Sequence, residues 1–328
     1  MKKWFSRLVG AEEGSGNAVD AAGVQASILE KEKQDALIRH EIDAAYYRWL
    51  SASGACIASA ALEEQILEQV RALAARPEEA AGIVPRVPEV IPRLLRSLRD
   101  EDVSTSELAQ QASQDVVLMA EIIREANSAY YRPMSPVKTV EAAIMMLGQN
   151  GLRMLLARVG FRPVIKQMGA DGFSKRVAPQ VWRQSEKCAL AASLMAPGLT
   201  AGVFESYLAG LMQNVGLVVA FRLAERASDN GKVPASSDFG VSLLACSRQL
   251  SAGIARHWDF PSDVADAVAQ AGDPGDSNIA LALAQGDRIA KIRLLLDACI
   301  LSEDDTLVSE GLDNFQRRCL GKLSNLED

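Results

Sequence analysis

Gly210-Leu211-Met212-Gln213-Asn214-Val215-Gly216 lies inside an apolar frame that runs from about Tyr207 to Ala224. That frame predicts the middle of a buried helix. Two adjacent polar side chains, Gln213 and Asn214, interrupt it. Two neutral amides cannot serve as the core of a metal site.

Working outward, helical spacing continues in both directions. Upstream, Leu37, Ile38, Ile42, Ala45, Tyr46 and Trp49 predict one helix from about Ser27, and Leu62, Ile66, Leu67, Val70 and Leu73 a second, with Ser51 to Gly54 as the break. Pro77 to Pro88 reads as a linker. A helix with Pro88 near its first position then carries Val90, Ile91, Leu94, Leu95 and Leu98. Ser104-Thr105-Ser106-Glu107 is a capping box, and Asp115 opens a helix that buries Val117, Leu118, Ile122 and Ile123. Thr139 reads as an N-cap, and Gly148 to Gly151 as a turn. Further helices are expected near 179–195, 204–227, 241–258, 261–271 and 277–297, with one or two short ones in 303–323.

No strand alternation and no repeat stand out. The expected fold is all-α: a multi-helical bundle around one main core, with a smaller helical extension at residues 26–80, a main domain over 81–300 and a helical tail over 301–328. Residues 1–25 offer no periodicity and are expected to be a disordered tail.

Composition narrows the function classes. Of 328 residues, 48% are apolar, enough for a sizeable core, and the net charge is −7. That acidic balance, with no clustered Lys and Arg, argues against nucleic acid as a partner. Five scattered cysteines without Cys-x-x-Cys spacing fit reduced thiols in a cytoplasmic protein. No transmembrane segment is expected. The basic front Met1-Lys2-Lys3-Trp4-Phe5-Ser6-Arg7-Leu8 lacks the apolar region of a secretory signal, and a tail is preferred to an amphipathic anchor. Only two histidines are present, His40 and His257. A multi-histidine metal cluster is thereby excluded by arithmetic, and neither histidine lies in a nucleophile motif. No cofactor is expected.

Several segments, in order, resemble the HDOD family, a catalytically silent branch of the HD-domain superfamily. They are Pro85-Arg86-Val87-Pro88-Glu89-Val90; Asp115 with Ile123-Arg124-Glu125-Ala126-Asn127-Ser128-Ala129-Tyr130-Tyr131; Val140-Glu141-Ala142-Ala143-Ile144 with Leu147-Gly148 and Leu152-Arg153; Trp182; Ala209-Gly210-Leu211 with Gly216; and Trp258-Asp259-Phe260-Pro261. The resemblance covers about Val84 to Ile292 and implies an HD-like helical fold.

Set against the catalytic HD pattern, the resemblance implies that the first ligand His falls on Gln184 and the His-Asp doublet on Gln213 and Asn214. The next His falls on Arg248, at a helix start, and a later His pair on Ala271 and Gly272. The final acid falls on Asp287, where the residue type survives. Neutral amides hold divalent cations weakly and an arginine repels them, so the metal-lowered water pKa behind this chemistry is not expected. The expected replacement is an Arg248–Asp287 ion pair completed by Gln184, Gln213 and Asn214. The plain alternative has Arg248 and Gln249 facing solvent.

The resemblance further implies a non-catalytic signal-transduction or scaffold protein of the bacterial cytoplasm, working by protein–protein contact. Its partners would be a histidine kinase, a response regulator or a cyclic-dinucleotide enzyme, with a homodimer also in view. Tyr46, Tyr47 and Trp49 are candidate contact anchors. Asn127, Ser128, Tyr130 and Tyr131 could line a partner groove or form a helix C-cap with aromatic packing. A sensor of a nucleotide or anion beside Arg248 is the alternative function, and a carboxylate-only enzyme a more distant one. Arg93, Arg96 and Arg99 read as a solvated face, and Asp273-Pro274-Gly275-Asp276 as a turn and not a calcium loop.

Overall fold

A computed structural model describes residues 18–84, 104–128, 131, 133–167, 172–228 and 231–324. The helix expected after Pro88, the Arg93–Arg96–Arg99 face, the side chain of Tyr130 and residues 1–17 lie outside that set.

The first helix, α1 (Ala18–Ser51), starts earlier than the sequence pattern predicts, inside what reads as tail. It is followed by α2 (Ala60–Ala74) and α3 (Pro77–Ile83), the latter in the stretch expected to be a linker. Pro77 at its first turn and two acids, Glu78 and Glu79, suit a helix N-terminus. The chain then forms α4 (Thr105–Ala112), α5 (Val116–Ala126) and α6 (Val140–Gln167). Ser104 and Glu107 make the capping box, and Asp115 caps α5 by accepting from the Val117 and Leu118 amides. Within α6, Gly148 takes φ 65°, a left-handed value that breaks the helix where a turn is expected.

The remaining helices are α7 (Gly172–Met195), α8 (Val203–Met212), α9 (Val215–Ala227), α10 (Ser237–His257), α11 (Ser262–Gln270), α12 (Asn278–Asp297), α13 (Thr306–Ser309) and α14 (Asn314–Leu323). Two short strands escape the sequence pattern. β1 (Ala55–Cys56) pairs in parallel with β2 (Val233–Pro234) and ties the α1–α2 turn to the α9–α10 turn.

The run from Tyr207 to Ala224 is not one helix. It breaks at Gln213–Asn214, with Asn214 at φ −101°, ψ 1°. Successive residues of a continuous helix diverge by about 100°. The break lets both amides turn into one place. The whole Val203–Ala227 stretch is apolar enough by composition to cross a membrane, which the sequence pattern does not suggest, but 89% of its most apolar window is buried inside the protein.

The main core joins α1–α3 to the later helices: Tyr46, Tyr47, Leu50, Ile66 and Val70 pack with Trp182, Leu211, Phe221, Leu250 and Val264. A second core, of Leu108, Leu118, Ile122, Ile144 and Leu156 among others, holds α4–α6 together. A third, including Ile38, Ile42, Met195, Ile289 and Leu320, clamps the C-terminal helices against α1. Helices approach closely around the doublet. A Cβ at Gly216 would run into the Ser247 carbonyl of α10, and one at Gly210 into the α7 backbone at Ala189.

Candidate functional site

Five elements meet at the doublet and bury a continuous polar cluster. Helix α7 supplies Gln184, Ser185 and Cys188; the α8–α9 break supplies Gln213 and Asn214; α10 supplies Arg248 and Ser251; α12 supplies Asp287 and Lys291; α1 supplies Asp43. Gln184, Ser185 and Ser251 are fully buried, and Gln213, Lys291, Asp43, Asn214 and Asp287 all expose less than a tenth of their surface.

The bonding is almost closed upon itself. Asp287 Oδ1 accepts from Gln184 Nε2 at 2.5 Å and from Gln213 Nε2 at 3.0 Å. Asp287 Oδ2 accepts from Lys291 Nζ at 2.6 Å, an i,i+4 pair along α12. The same ammonium donates to Asp43 Oδ1 at 2.6 Å, so Lys291 bridges two carboxylates from different helices. Arg248 Nη2 reaches Asp43 Oδ2 at 3.3 Å. Asn214 Nδ2 donates to Gln184 Oε1 and, at 3.0 Å, to Ser185 Oγ. Gln213 also approaches Cys188 Sγ at 2.9 Å. The Ser251 hydroxyl donates to the Gln213 carbonyl at 2.7 Å and accepts from Gly216 N at 2.8 Å, stitching α10 to the break.

Two carboxylates thus face two cations, and the cluster is electrically balanced. Burial works against the charge on Asp43, but the Lys291 ammonium and the Arg248 guanidinium overcome it and hold the carboxyl below its usual range. Burial likewise disfavours the Lys291 ammonium, and Asp287 and Asp43 outweigh it, raising its pKa. The Cys188 thiol is pushed well up by burial and then by Asp287, so it stays protonated and unreactive. Burial, with Asp287 and Asp43, also keeps the Tyr46 phenol neutral.

The structure brings together Gln184, Gln213, Asn214 and Asp287, as the sequence suggests. It corrects the expected ion pair. The carboxylate beside Arg248 is Asp43, and the cation beside Asp287 is Lys291. Arg248 sits mid-way along α10, not at a helix start, and so turns inward while Gln249 bonds the Ala269 carbonyl at the surface. Ala271 and Gly272, at the end of α11, have no polar side chain to join the network; the Gly272 carbonyl accepts from Arg39 on α1 instead.

Asp43 and Lys291 carried a legible signal. Asp43 follows Ile42 and precedes Tyr46 on the apolar stripe of α1, and Lys291 stands one turn from Asp287. Two of the expected contact anchors are also corrected. Tyr46 and Tyr47 are fully buried, because their face of α1 packs into the main core. The Tyr46 ring lies under Lys291 at 5.4 Å, and Tyr47 donates to the Pro234 carbonyl at 2.6 Å. Trp49 is half-buried against Tyr46. Asn127 is exposed and forms the C-cap of α5, one of the two readings the sequence offers for it. Its amide donates to the Ile123 and Val137 carbonyls and its oxygen accepts from Val137 N, all at 2.8 Å. Ser128 is half-buried beside it. Tyr131 is half-buried on the second core, next to Gly151.

The donor set does not suit a divalent cation. Its carboxylates are already neutralised by an ammonium and a guanidinium, its remaining groups are amides, hydroxyls and a protonated thiol, and His40 and His257 are both exposed elsewhere.

The fold and this cluster define a helical HD-like domain. The HDOD domain family matches residues 84–274, and the chain belongs to that family. A protein of Treponema pallidum (strain Nichols), itself uncharacterized, is 25% identical over 214 residues, 62% of this chain; the match spans only 40% of that relative's length. Among solved structures, a provisionally named metal-dependent phosphohydrolase from Shewanella amazonensis SB2B superposes with TM-score 0.58 at 21% identity, over 81% of this chain and 100% of its own. A provisionally named signal transduction protein from Marinobacter aquaeolei VT8 gives TM-score 0.52 at 21% identity, over 80% of this chain and 63% of its own. At these identities the two structures establish the shared fold alone.

Proposed function

We propose that this protein is a non-catalytic signal-transduction or scaffold protein that works through protein–protein contact. The observation that carries this reading is the Lys291 ammonium, 2.6 Å from both Asp43 and Asp287. A lysine bridging two carboxylates does the electrostatic work of a divalent cation without offering an open coordination position or an acidified water. The amides of Gln184 and Gln213 then occupy Asp287 Oδ1, leaving that carboxylate no role as a general base. Partners of the two-component or cyclic-dinucleotide type, and a cytoplasmic setting, belong to the same reading. The name of the Marinobacter structural neighbour agrees with it, and that of the Shewanella neighbour names the catalytic alternative that the test below addresses.

Metal analysis of the purified full chain, with phosphoester turnover assayed in added Mg²⁺, Mn²⁺ and Fe²⁺, tests the claim. The expected result is substoichiometric metal and no turnover. One metal per chain that disappears in Asp287→Ala, with hydrolysis of any phosphoester, would overturn it. A histidine kinase or cyclase encoded beside this gene would supply the first partner for a direct binding measurement.

A further inference from the structure

We propose that Arg248 and Lys291 form a binding site for a small oxyanion, a carboxylate or a phosphoryl group, and that this chain fills the site from within using Asp43 of α1. The geometry is that of a held anion. Each Asp43 oxygen takes one cation, Lys291 at 2.6 Å and Arg248 at 3.3 Å, and the two cations come from different helices, α12 and α10. The Arg248 contact exceeds the roughly 2.7–2.9 Å of a tight charge-assisted bond, so a larger oxyanion would reach both donors.

The surrounding field has the same sign. Arg39 and Arg288 also act on Asp43, and four cations (Arg39, Arg248, Arg288, Lys291) surround three carboxylates (Asp35, Asp43, Asp287). Tyr46 adds a spare donor. One turn along α1 from Asp43, its hydroxyl is fully buried, has no hydrogen-bond partner, and feels the charges of Asp43 and Asp287. Asp43 precedes the region that matches the family, 84–274, Arg248 lies within it and Lys291 follows it. The helix in front of the domain thus acts as a tethered ligand, and the site is closed to outside anions for as long as α1 is docked.

The test removes the tethered carboxylate and asks whether a free one replaces it. Full-length Asp43→Ala is melted in sodium formate, in inorganic phosphate and in sodium chloride at matched ionic strength. Its midpoint in chloride should fall by about 5 °C or more. Formate or phosphate should restore at least half of that loss in a saturable way. The unaltered protein, Asp43→Asn (whose amide still fills the space) and the double variant Asp43→Ala/Arg248→Gln should respond no more than they do to chloride. Formate exceeding phosphate marks a carboxylate site; the reverse marks a phosphoryl site. If Asp43→Ala does not fold in chloride, the refolding yield in each salt replaces the midpoint. Formate and phosphate acting no better than chloride, or acting equally on the double variant, would overturn the proposal. Metal content and turnover are measured on the unaltered protein, so the non-catalytic reading stands or falls separately.

Discussion

The polar cluster around Lys291 and the α4–α6 bundle invert each other's distribution of polarity. The first places charge inside and pairs it there: two acids, two cations and three amides bond to one another. The second has an ordinary apolar interior but places large apolar side chains outside, with Val116, Val117, Met134 and Met145 all at least two-thirds exposed. Interior polarity fixes geometry, because every partner must stay where its donor or acceptor needs it. Exterior apolar side chains add little to holding the fold together, and on the function proposed above they are where a partner would bind. The molecule then carries a locked region and a presented one, and perturbing each should have opposite consequences.

The largest effect is expected at the lock. Lys291→Met leaves Asp43 with Arg248 alone and buries Asp287 without its cation. Breaking a buried ionic arrangement by removing one partner costs roughly 3–5 kcal/mol, which chemical denaturation would read directly. A loss under about 1 kcal/mol would mean the cluster behaves as a surface pair and the contrast between the regions is false.

Asn127→Ala attacks the presented bundle where it, too, relies on polar bonds. Two bonds at 2.8 Å hold the end of α5 to Val137 ahead of α6, and a third returns to the Ile123 carbonyl within α5. Their removal should cost about 1–3 kcal/mol. Hydrogen exchange should quicken across 116–147 and leave α7–α12 protected. Equal loosening of both regions would show that they unfold as one unit.

The lock is also pH-dependent, and its sign follows from Asp43. Its pKa is depressed in the folded state, so its contribution to stability is present above the ordinary carboxylate pKa and is lost as the pH falls through the lower folded value. Lys291 has a raised pKa, so its contribution is lost only under strongly alkaline conditions. Between these limits the cluster is at full strength. Melts of the unaltered protein and of Asp43→Asn should converge as acid is added, with a slope difference no steeper than one proton's worth. Parallel profiles would remove Asp43 from the titration.

Much of the lock is legible in the sequence. Gln184, Gln213, Asn214 and Asp287 are identifiable by their place in the family pattern. The partnership of Arg248 is not, because the competing acid, Asp43, lies about 200 residues away in a segment outside that pattern. Only the apolar stripe around Asp43 betrays it. Tyr46 and Tyr47 misled for a related reason. Aromatic residues suit interfaces and cores alike, and helical spacing cannot say which face of α1 another helix will cover. The break at Gln213–Asn214 was hidden because nothing local stops the helix there; neither residue is Gly or Pro, and the tertiary bonds to α7 and α12 hold the break. In the α4–α6 bundle local chemistry was strong, and the Ser104 box, the Asp115 cap and the Gly148 turn are all where the sequence puts them.

The smallest effect belongs to the presented surface, and it is clearest at two adjacent residues of α5. The spacing of apolar residues assigns both Val117 and Leu118 to the buried side. The structure separates them: Val117 is 68% exposed and Leu118 1% exposed. Val117→Ser should change stability by no more than about 0.5 kcal/mol, as for other exposed positions. Leu118→Ser would lose a full side chain's burial and leave a hydroxyl in the second core, costing several times as much. A matched pair of urea titrations decides it. Equal losses would mean that Val117 is covered in the folded chain and that this face is not available to a partner. A near-zero change at Val117 beside a large one at Leu118 would show an apolar side chain that the fold holds outward at no benefit to itself, as a contact surface requires.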